Sequence, residues 1–443
     1  MTQHTIDIDA RIDVSPISAL QWRVVAICFL LAVVDGFDAQ AIAFVAPLLK
    51  TDFSISAEAM GGLFSAALVG LMTGAFGFSP LADKIGRKPV IMIACALMGA
   101  FAIATAYAGS ITELYVYRFL TGLGLGGVMP NINTLTSEYA PKRVRALLMT
   151  LMFAGFPFGA VLGGLVSAQL IAGFGWPSVF LLGGIAPLVL LALTAIALPE
   201  SVRYLAARPN RQAYVAKILG RIDTTFRADG EHRFTLGQSK EQGGGISGLF
   251  KGGRAVPTAL IWLIYFANLL MMYTLMSWLP SVMREAGLPL DRAIATTVLF
   301  NLGGVIGGLA IAWWIDRRGP HGVLLVSFAL AALAIAFIGQ AAGALASIFI
   351  CVFAAGVGVI GTQLGMNAVV ANFYPTAMRA TGIGWALAVG RVGSIVGPIL
   401  VGIVLGLEWS LPAVFLFTAM PALICFLALI VFKAVTIKNG ARS

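Results

Sequence analysis

The chain has 443 residues, of which 59% are apolar and only 11% charged, and its net charge is +10. So few charges cannot cover a soluble core of that size, so the apolar surface calls for a bilayer, which takes about 18 or more consecutive apolar residues per crossing. The basic excess does not require nucleic acid, because 24 of the 29 Lys and Arg lie in the tails and in alternate loops between apolar segments.

The first twenty residues are polar and acidic, with no basic region and no small-residue cleavage site, and read as a tail. Twelve spans follow, near 22–48, 59–79, 89–108, 113–135, 147–171, 178–198, 256–281, 293–314, 322–341, 346–371, 380–406 and 412–434. The fold class expected is therefore an all-α polytopic membrane protein. A polar stretch from Glu200 to Arg254 divides the spans six and six. It holds an amphipathic helix over 211–222 and then a Gly-rich linker. The expected organisation is a tail over 1–21, a six-helix bundle over 22–199, a central loop over 200–254, a second bundle over 255–434, and a tail over 435–443. The odd-numbered loops carry only Lys50, Arg284 and Arg292, and Arg118 and Arg391 lie inside spans. That asymmetry places both tails and the central loop in the cytoplasm, as in a bacterial inner-membrane protein. Cys28, Cys95, Cys351 and Cys425 have neither metal nor disulfide spacing and read as small hydrophobes.

The halves repeat at an offset of 233 to 235 residues. Pro47 matches Pro280, Asp83 to Gly86 match Asp316 to Gly319, and Pro141 and Arg145 match Pro375 and Arg379. Trp176, Phe180 and Pro187 match Trp409, Phe415 and Pro421. Two parallel six-helix halves with a solute site between them near the midplane are one recurring transporter plan.

Ser79-Pro-Leu-Ala-Asp83-Lys-Ile-Gly86-Arg87-Lys88, between spans 2 and 3, resembles the signature loop of the major facilitator superfamily, with Ser79 where glycine is usual. It reads as a cytoplasmic latch. Asp83 can accept from the N-terminus of a helix in the other half, and Arg87 and Lys88 can pair with carboxylates or carbonyls. Asp316, Arg317 and Arg379 are the second-half counterparts. Glu138, beside Lys142, Arg143 and Arg145, reads as part of the same latch or as a solvated loop acid.

Asp35-Gly-Phe-Asp38 in span 1 carries the resemblance to one branch, the aromatic acid:proton symporters. It is joined by Met129-Pro-Asn131, Glu138-Tyr-Ala-Pro141, Ser277-Trp-Leu-Pro280, Asn301-Leu-Gly-Gly304, Tyr374-Pro-Thr and Gly390-Arg391-Val-Gly393. The resemblance implies uptake of benzoate-like acids with protons. The partners it implies are a small aromatic carboxylate, a proton and the lipid bilayer. Neither nucleic acid nor a cofactor beyond the coupling proton is expected, and the bundle could work as a monomer. A proton-antiporting exporter and a transporter-like sensor are the alternatives. No metal cluster, nucleophile elbow or phosphate loop suggests an enzyme.

Asp35, Asp38, Arg118 and Arg391 are the ionisable residues well inside spans, where a charge is costly and by default functional. Asp35 and Asp38 are three apart, so about 60° apart on one helix face. Two carboxylates so close in low dielectric do not both ionise easily, whereas an arginine nearby favours ionisation, and this competition suits a proton-coupling site. Asp38 is the first choice for the coupled proton, with Arg118 its exchanging partner. The reverse assignment with Asp35, and a permanent bridge clamping helices 1 and 4, stay open.

Arg391 corresponds to Pro157 in the first half, and Asn268 to Asp35. Arg391 offers a bidentate fork for a substrate carboxylate, with Arg118 the rival anchor. An aromatic ring needs apolar walls and a few donors, for which Phe37, Tyr265, Asn268, Gln363, Asn367, Trp385 and Asn133 are the candidates, with Tyr273 and Trp278 beside them. Gln363 and Asn367 share one face of their helix, as do Tyr265 and Asn268.

Overall fold

The computed structural model describes residues 4–223, 232–235, 246–341 and 344–440. Twelve long helices dominate these residues. Helices 1 to 6 are Ala19–Asp52, Ala57–Ile85, Arg87–Ala106, Ile111–Tyr139, Arg145–Phe174 and Pro177–Ala197. Helices 7 to 12 are Ala255–Glu285, Leu290–Arg318, Pro320–Ile338, Leu345–Phe373, Thr376–Gly406 and Leu411–Gly440. Eleven are apolar and long enough to cross a bilayer; helix 4 is long enough, but Glu113, Arg118 and Glu138 make it more polar. Nine of the helices outrun their expected spans, helices 3 and 6 match theirs in length and helix 9 is one residue shorter, and most connections shrink to a few residues. With no water to take a backbone N–H or C=O, the chain stays helical across the apolar region, even through Pro47, Pro130, Pro157 and Pro280.

Contacts divide the chain into two compact units. The first holds Met1–Ala39, Val69–Ala160 and Pro177–Lys240, and the second holds Gln40–Leu68, Val161–Trp176 and Glu241–Ser443. Helices 1, 2 and 5 therefore contribute one end to each unit. In the first unit, helix 3 packs on helices 4 and 6. Helix 5 lies against helix 1 so closely that a Cβ at Gly159 would stand 1.9 Å from the Val33 carbonyl oxygen. In the second unit, helix 7 packs on helices 8, 11 and 12, and helix 8 on helix 10. The ends of helices 1 and 2 in that unit are fixed by backbone proximity and polar contacts. Gly61 and Gly402 face each other, each built Cβ 3.3 Å from the other's Cα. Ser65 Oγ donates to the Ile395 carbonyl at 2.7 Å and Lys50 pairs with Glu285, while Trp278 Nε1, donating to the Pro398 carbonyl at 2.9 Å, ties helix 7 to helix 11. That ion pair is more than one-third exposed on both sides and contributes little; the helix approach holds the contact.

The central loop contains the expected amphipathic helix, Gln212–Ile222, while the Gly-rich linker after it lies largely outside the described residues. The N-terminal segment, expected as a polar tail, is folded. Strand β1 (His4–Asp7) runs parallel to β2 (His232–Thr235), and a short helix, Ile8–Val14, follows it. Asp7 caps that helix by accepting from the N–H groups of Asp9 and Ala10. Ile8 and Ile12 are buried among Val215, Leu219 and Ile222. Three ion pairs surround them: Asp9 with Arg203, Arg11 with Asp223, and Asp13 with Lys142. Exposed pairs give about 0–1 kcal/mol each, whereas burying an isoleucine gives about 1.5–3 kcal/mol, so the two isoleucines hold the tail and the charges set its register.

Burial raises the affinity of the Asp13 carboxyl for a proton, but the Lys142 N–H and ammonium outweigh this and hold it below the ordinary carboxylate value. Its contribution to docking is full above about pH 4, and is lost as pH falls through the docked value. The protection of residues 8–14 against hydrogen exchange, taken relative to the unprotected rate at each pH, is expected to fall on acidification through that range in the wild type. Asp13→Asn should remove the pH step at a cost below about 1 kcal/mol, whereas Ile12→Ser should free the tail at neutral pH. In the bundle, Gly159→Leu should lower the melting temperature and the yield of monodisperse protein. Gly173→Leu, at a glycine with nothing within 4 Å of its built Cβ, should not.

Candidate functional site

Helix 4 opens at Ser110, whose hydroxyl accepts from the Glu113 N–H while the Glu113 carboxylate accepts from the Gly109 N–H. Two turns on, Arg118 and Asp38 of helix 1 meet with both side chains fully buried. Arg118 Nη1 donates to Asp38 Oδ1, and Nη2 donates to Oδ2 and to the Asp38 backbone carbonyl, each at 3.2 Å. The Phe180 ring lies under the guanidinium carbon at 5.5 Å, and Arg118 Nε donates to no group among the described residues. Asp35, one turn earlier on helix 1, is also buried. Two of the three expected coupling residues thus form a dry, two-pronged bridge. Phe37 packs on Gly183 of helix 6, whose built Cβ would stand 3.1 Å from the ring. Asn131 turns back to the Gly127 carbonyl, while Asn133 keeps a buried carbonyl oxygen that accepts from no group among the described residues.

At the basic-loop end of the same unit, Asp83 pairs with Arg87 at 2.7 Å in its own loop rather than with a helix of the other half. The carboxylate at a helix N-terminus is instead Glu200, which sequence reasoning passed over. Its Oε1 accepts from the N–H groups of Arg87, Lys88 and Ser201 at 2.8, 3.2 and 2.7 Å. Gly86 makes the turn into helix 3 with φ +108°, and a Cβ there would strike Glu200 Oε2. The run Pro199-Glu200-Ser201-Val-Arg203, which follows helix 6, carries no local pattern that marks Glu200 as the cap of helix 3. Glu138 is buried and accepts from the Ser201 hydroxyl at 2.5 Å. Lys88 Nζ donates to the Ala195 carbonyl and Arg208 to the Lys84 carbonyl. Asp83, Arg87, Glu138, Ser201 and Arg203 line a cavity of about 600 Å³. Arg145 donates to the Ala140 carbonyl of its own loop. In the second unit, Gly319 repeats the positive φ at +76°, but Asp316, Arg317 and Arg379 are exposed, with Arg317 stacked on Trp313 at 3.7 Å.

The second unit joins helices 7 and 10 by amide contacts. Tyr265 Oη donates to Asn367 Oδ1 at 2.7 Å, and Asn268 Nδ2 donates to Gln363 Oε1 at 2.7 Å. Helix 10 widens into a π-turn over Val357–Gly361, a feature no periodicity announced, and Asn268 Nδ2 also reaches the Val359 carbonyl there at 3.3 Å. Arg391 on helix 11 donates to the Tyr273 hydroxyl at 2.8 Å, its guanidinium carbon 5.8 Å from that ring's centre. Among the described residues no carboxylate pairs with it. Trp385 stacks on Trp262 at 6.0 Å and is 42% exposed; Trp278 packs edge-on against Phe64.

The sequence profile of the Major Facilitator Superfamily matches residues 28–289 and again 261–442. The 4-hydroxybenzoate transporter PcaK of Pseudomonas aeruginosa is 41% identical over 94% of this chain and 93% of its own length. A gallate transporter of Pseudomonas putida is 41% identical over 96% and 94%. The benzoate transport protein of Acinetobacter baylyi is 33% identical over 95% and 91%. Among solved structures, the partially occluded, inward-open xylose transporter XylE of E. coli superimposes with a TM-score of 0.70 at 16% identity, over 93% of this chain and 97% of that one. The nucleoside transporter NupG gives 0.71 at 14%, over 93% and 99%. These two likenesses concern the fold alone.

Arg118→Gln strands a buried carboxylate, and is expected to destabilise the protein by about 3–5 kcal/mol. The double variant Asp38→Asn/Arg118→Gln should recover most of that in thermal melts of detergent-solubilised protein. A double variant that melts as low as Arg118→Gln would deny the coupling.

Proposed function

The chain belongs to the major facilitator superfamily, and on that premise we propose that it is a proton-coupled symporter importing benzoate-type aromatic carboxylates. The observation that carries the reading is the likeness, along nearly the whole chain, to carriers whose names specify 4-hydroxybenzoate, gallate and benzoate. The charge pattern of the loops supports a place in the bacterial inner membrane with both termini cytoplasmic. The protein moves its substrate unaltered, by alternating access, and functions as a monomer.

In this reading Arg391 takes the substrate carboxylate. It is a cation held by a neutral hydroxyl, so an arriving anion displaces no ion pair, and the guanidinium offers a two-pronged fit. Tyr265, Asn268, Gln363 and Asn367 meet the ring and its polar substituents. Asp38 takes the coupled proton. Protonation removes the countercharge from Arg118, which then attracts the next anion, and Asp35 modulates the exchange. The ion pairs around Asp83, Arg87, Glu138 and Glu200 belong to the gate that opens and closes the cytoplasmic side.

An anion and a proton crossing together move no net charge, so a gradient of one pH unit can support about tenfold accumulation. In proteoliposomes, labelled 4-hydroxybenzoate and benzoate are expected to accumulate only under an inward proton gradient. Asp38→Asn should abolish gradient-driven accumulation while still exchanging labelled for unlabelled substrate. If neither acid enters with wild-type protein, the substrate assignment fails. If the variant still accumulates against a gradient, Asp38 is not the proton site.

A further inference from the structure

Asn268 is fully buried on helix 7, and its two polar atoms are in opposite situations. The nitrogen is doubly held, by Gln363 Oε1 at 2.7 Å and the Val359 carbonyl at 3.3 Å. The oxygen accepts from no group among the described residues. A backbone carbonyl can only accept, so the branch of Asn268 facing Val359 is the amino group, and the amide cannot be the other way round. Gln363 must then present its oxygen to Asn268, which turns its own amino group away. One carbonyl in the π-turn of helix 10 therefore orients two side-chain amides. It leaves Asn268 Oδ1 on the branch directed away from helix 10.

A buried acceptor left unpaired costs about 1–3 kcal/mol. The group that relieves it must bring a donor. A substrate carboxylate, ionised at neutral pH, can only accept and is disfavoured there, as is an unsubstituted ring edge. A phenolic hydroxyl supplies the missing proton. Resting on the aromatic-carboxylate reading above, we propose that Asn268 Oδ1 is the specificity element that accepts from a ring hydroxyl, and that the π-turn exists in this site to hold it in that orientation. The carrier then prefers hydroxylated benzoates to benzoates bearing a methyl group of similar size at the same position.

The test begins with wild-type protein, so it does not depend on a variant folding. In proteoliposomes, unlabelled 3- or 4-hydroxybenzoate should compete with labelled 4-hydroxybenzoate at least about fivefold better than the matching 3- or 4-methylbenzoate, at one of the two positions or both. Asn268→Val should shrink that ratio to within about twofold. Asn268→Thr, close to valine in shape but retaining an oxygen acceptor, should keep a larger part of it. Equal competition by hydroxyl and methyl compounds at both positions in the wild type would overturn the proposal while leaving the transport reading intact. So would a ratio that survives undiminished in Asn268→Val. Wild-type liposomes that take up no aromatic acid would instead remove the reading on which it rests.

Discussion

A guanidinium without access to water has to be neutralised inside the fold, and in the first half this one requirement ties two helices together. Arg118 and Asp38 are both fully buried, and their two-pronged contact is completed by a backbone carbonyl of helix 1. Removing either charge alone exposes the other to low dielectric, at a cost greater than the pair's net contribution to stability. Nor can Asp38 take up a proton without leaving a cation in need of an anion. Coupling of proton to anion, in the proposed cycle, is a consequence of that electrostatic debt rather than of a separate device.

The second half solves the complementary problem of keeping a polar cluster specific. Its amides occupy one another, but only because a backbone carbonyl settles the orientation of the first. Polar networks left partly satisfied are expensive where nothing else can reach them, and they persist where a ligand completes them. Arg391 follows the same logic at lower cost. A tyrosine hydroxyl occupies one prong of the guanidinium without neutralising it.

Much of this architecture can be read from residue types, because the bilayer penalises exceptions so heavily. Arg118 and Asp38 stand out as charges in apolar runs, and Asn268, Gln363 and Asn367 as amides at helical spacing. Glu200 does not stand out, because it closes a helix beside a loop already full of charges. Its role depends on helix 3 starting a hydrogen bond's length away, which no local pattern encodes. Asp83 is the opposite case, because its partner Arg87 stands within reach at i+4 in the sequence itself. Composition gives no hint of the π-turn either, since Val357–Gly361 simply continues the apolar run of Leu345–Gly356 before it. It becomes visible only through the carbonyl it presents. Trp385 has the composition of a ring-binding wall, and its stacking on Trp262 follows from packing that a helical wheel does not resolve.

The parallel pairing of the tail with the central loop has a consequence for biogenesis. His4 sits opposite His232, so the two strands are separated by 228 residues of chain. At synthesis rates of about 5–20 residues per second, the first strand waits about 10–50 s for its partner. In that interval the six helices of the first half enter the membrane, and the helix that receives Ile8 and Ile12 is made only near its end. A two-stranded ladder of four residues has too little surface to stand by itself. The tail therefore docks late, on a bundle already assembled, and its docking records that the first half was completed in the right order.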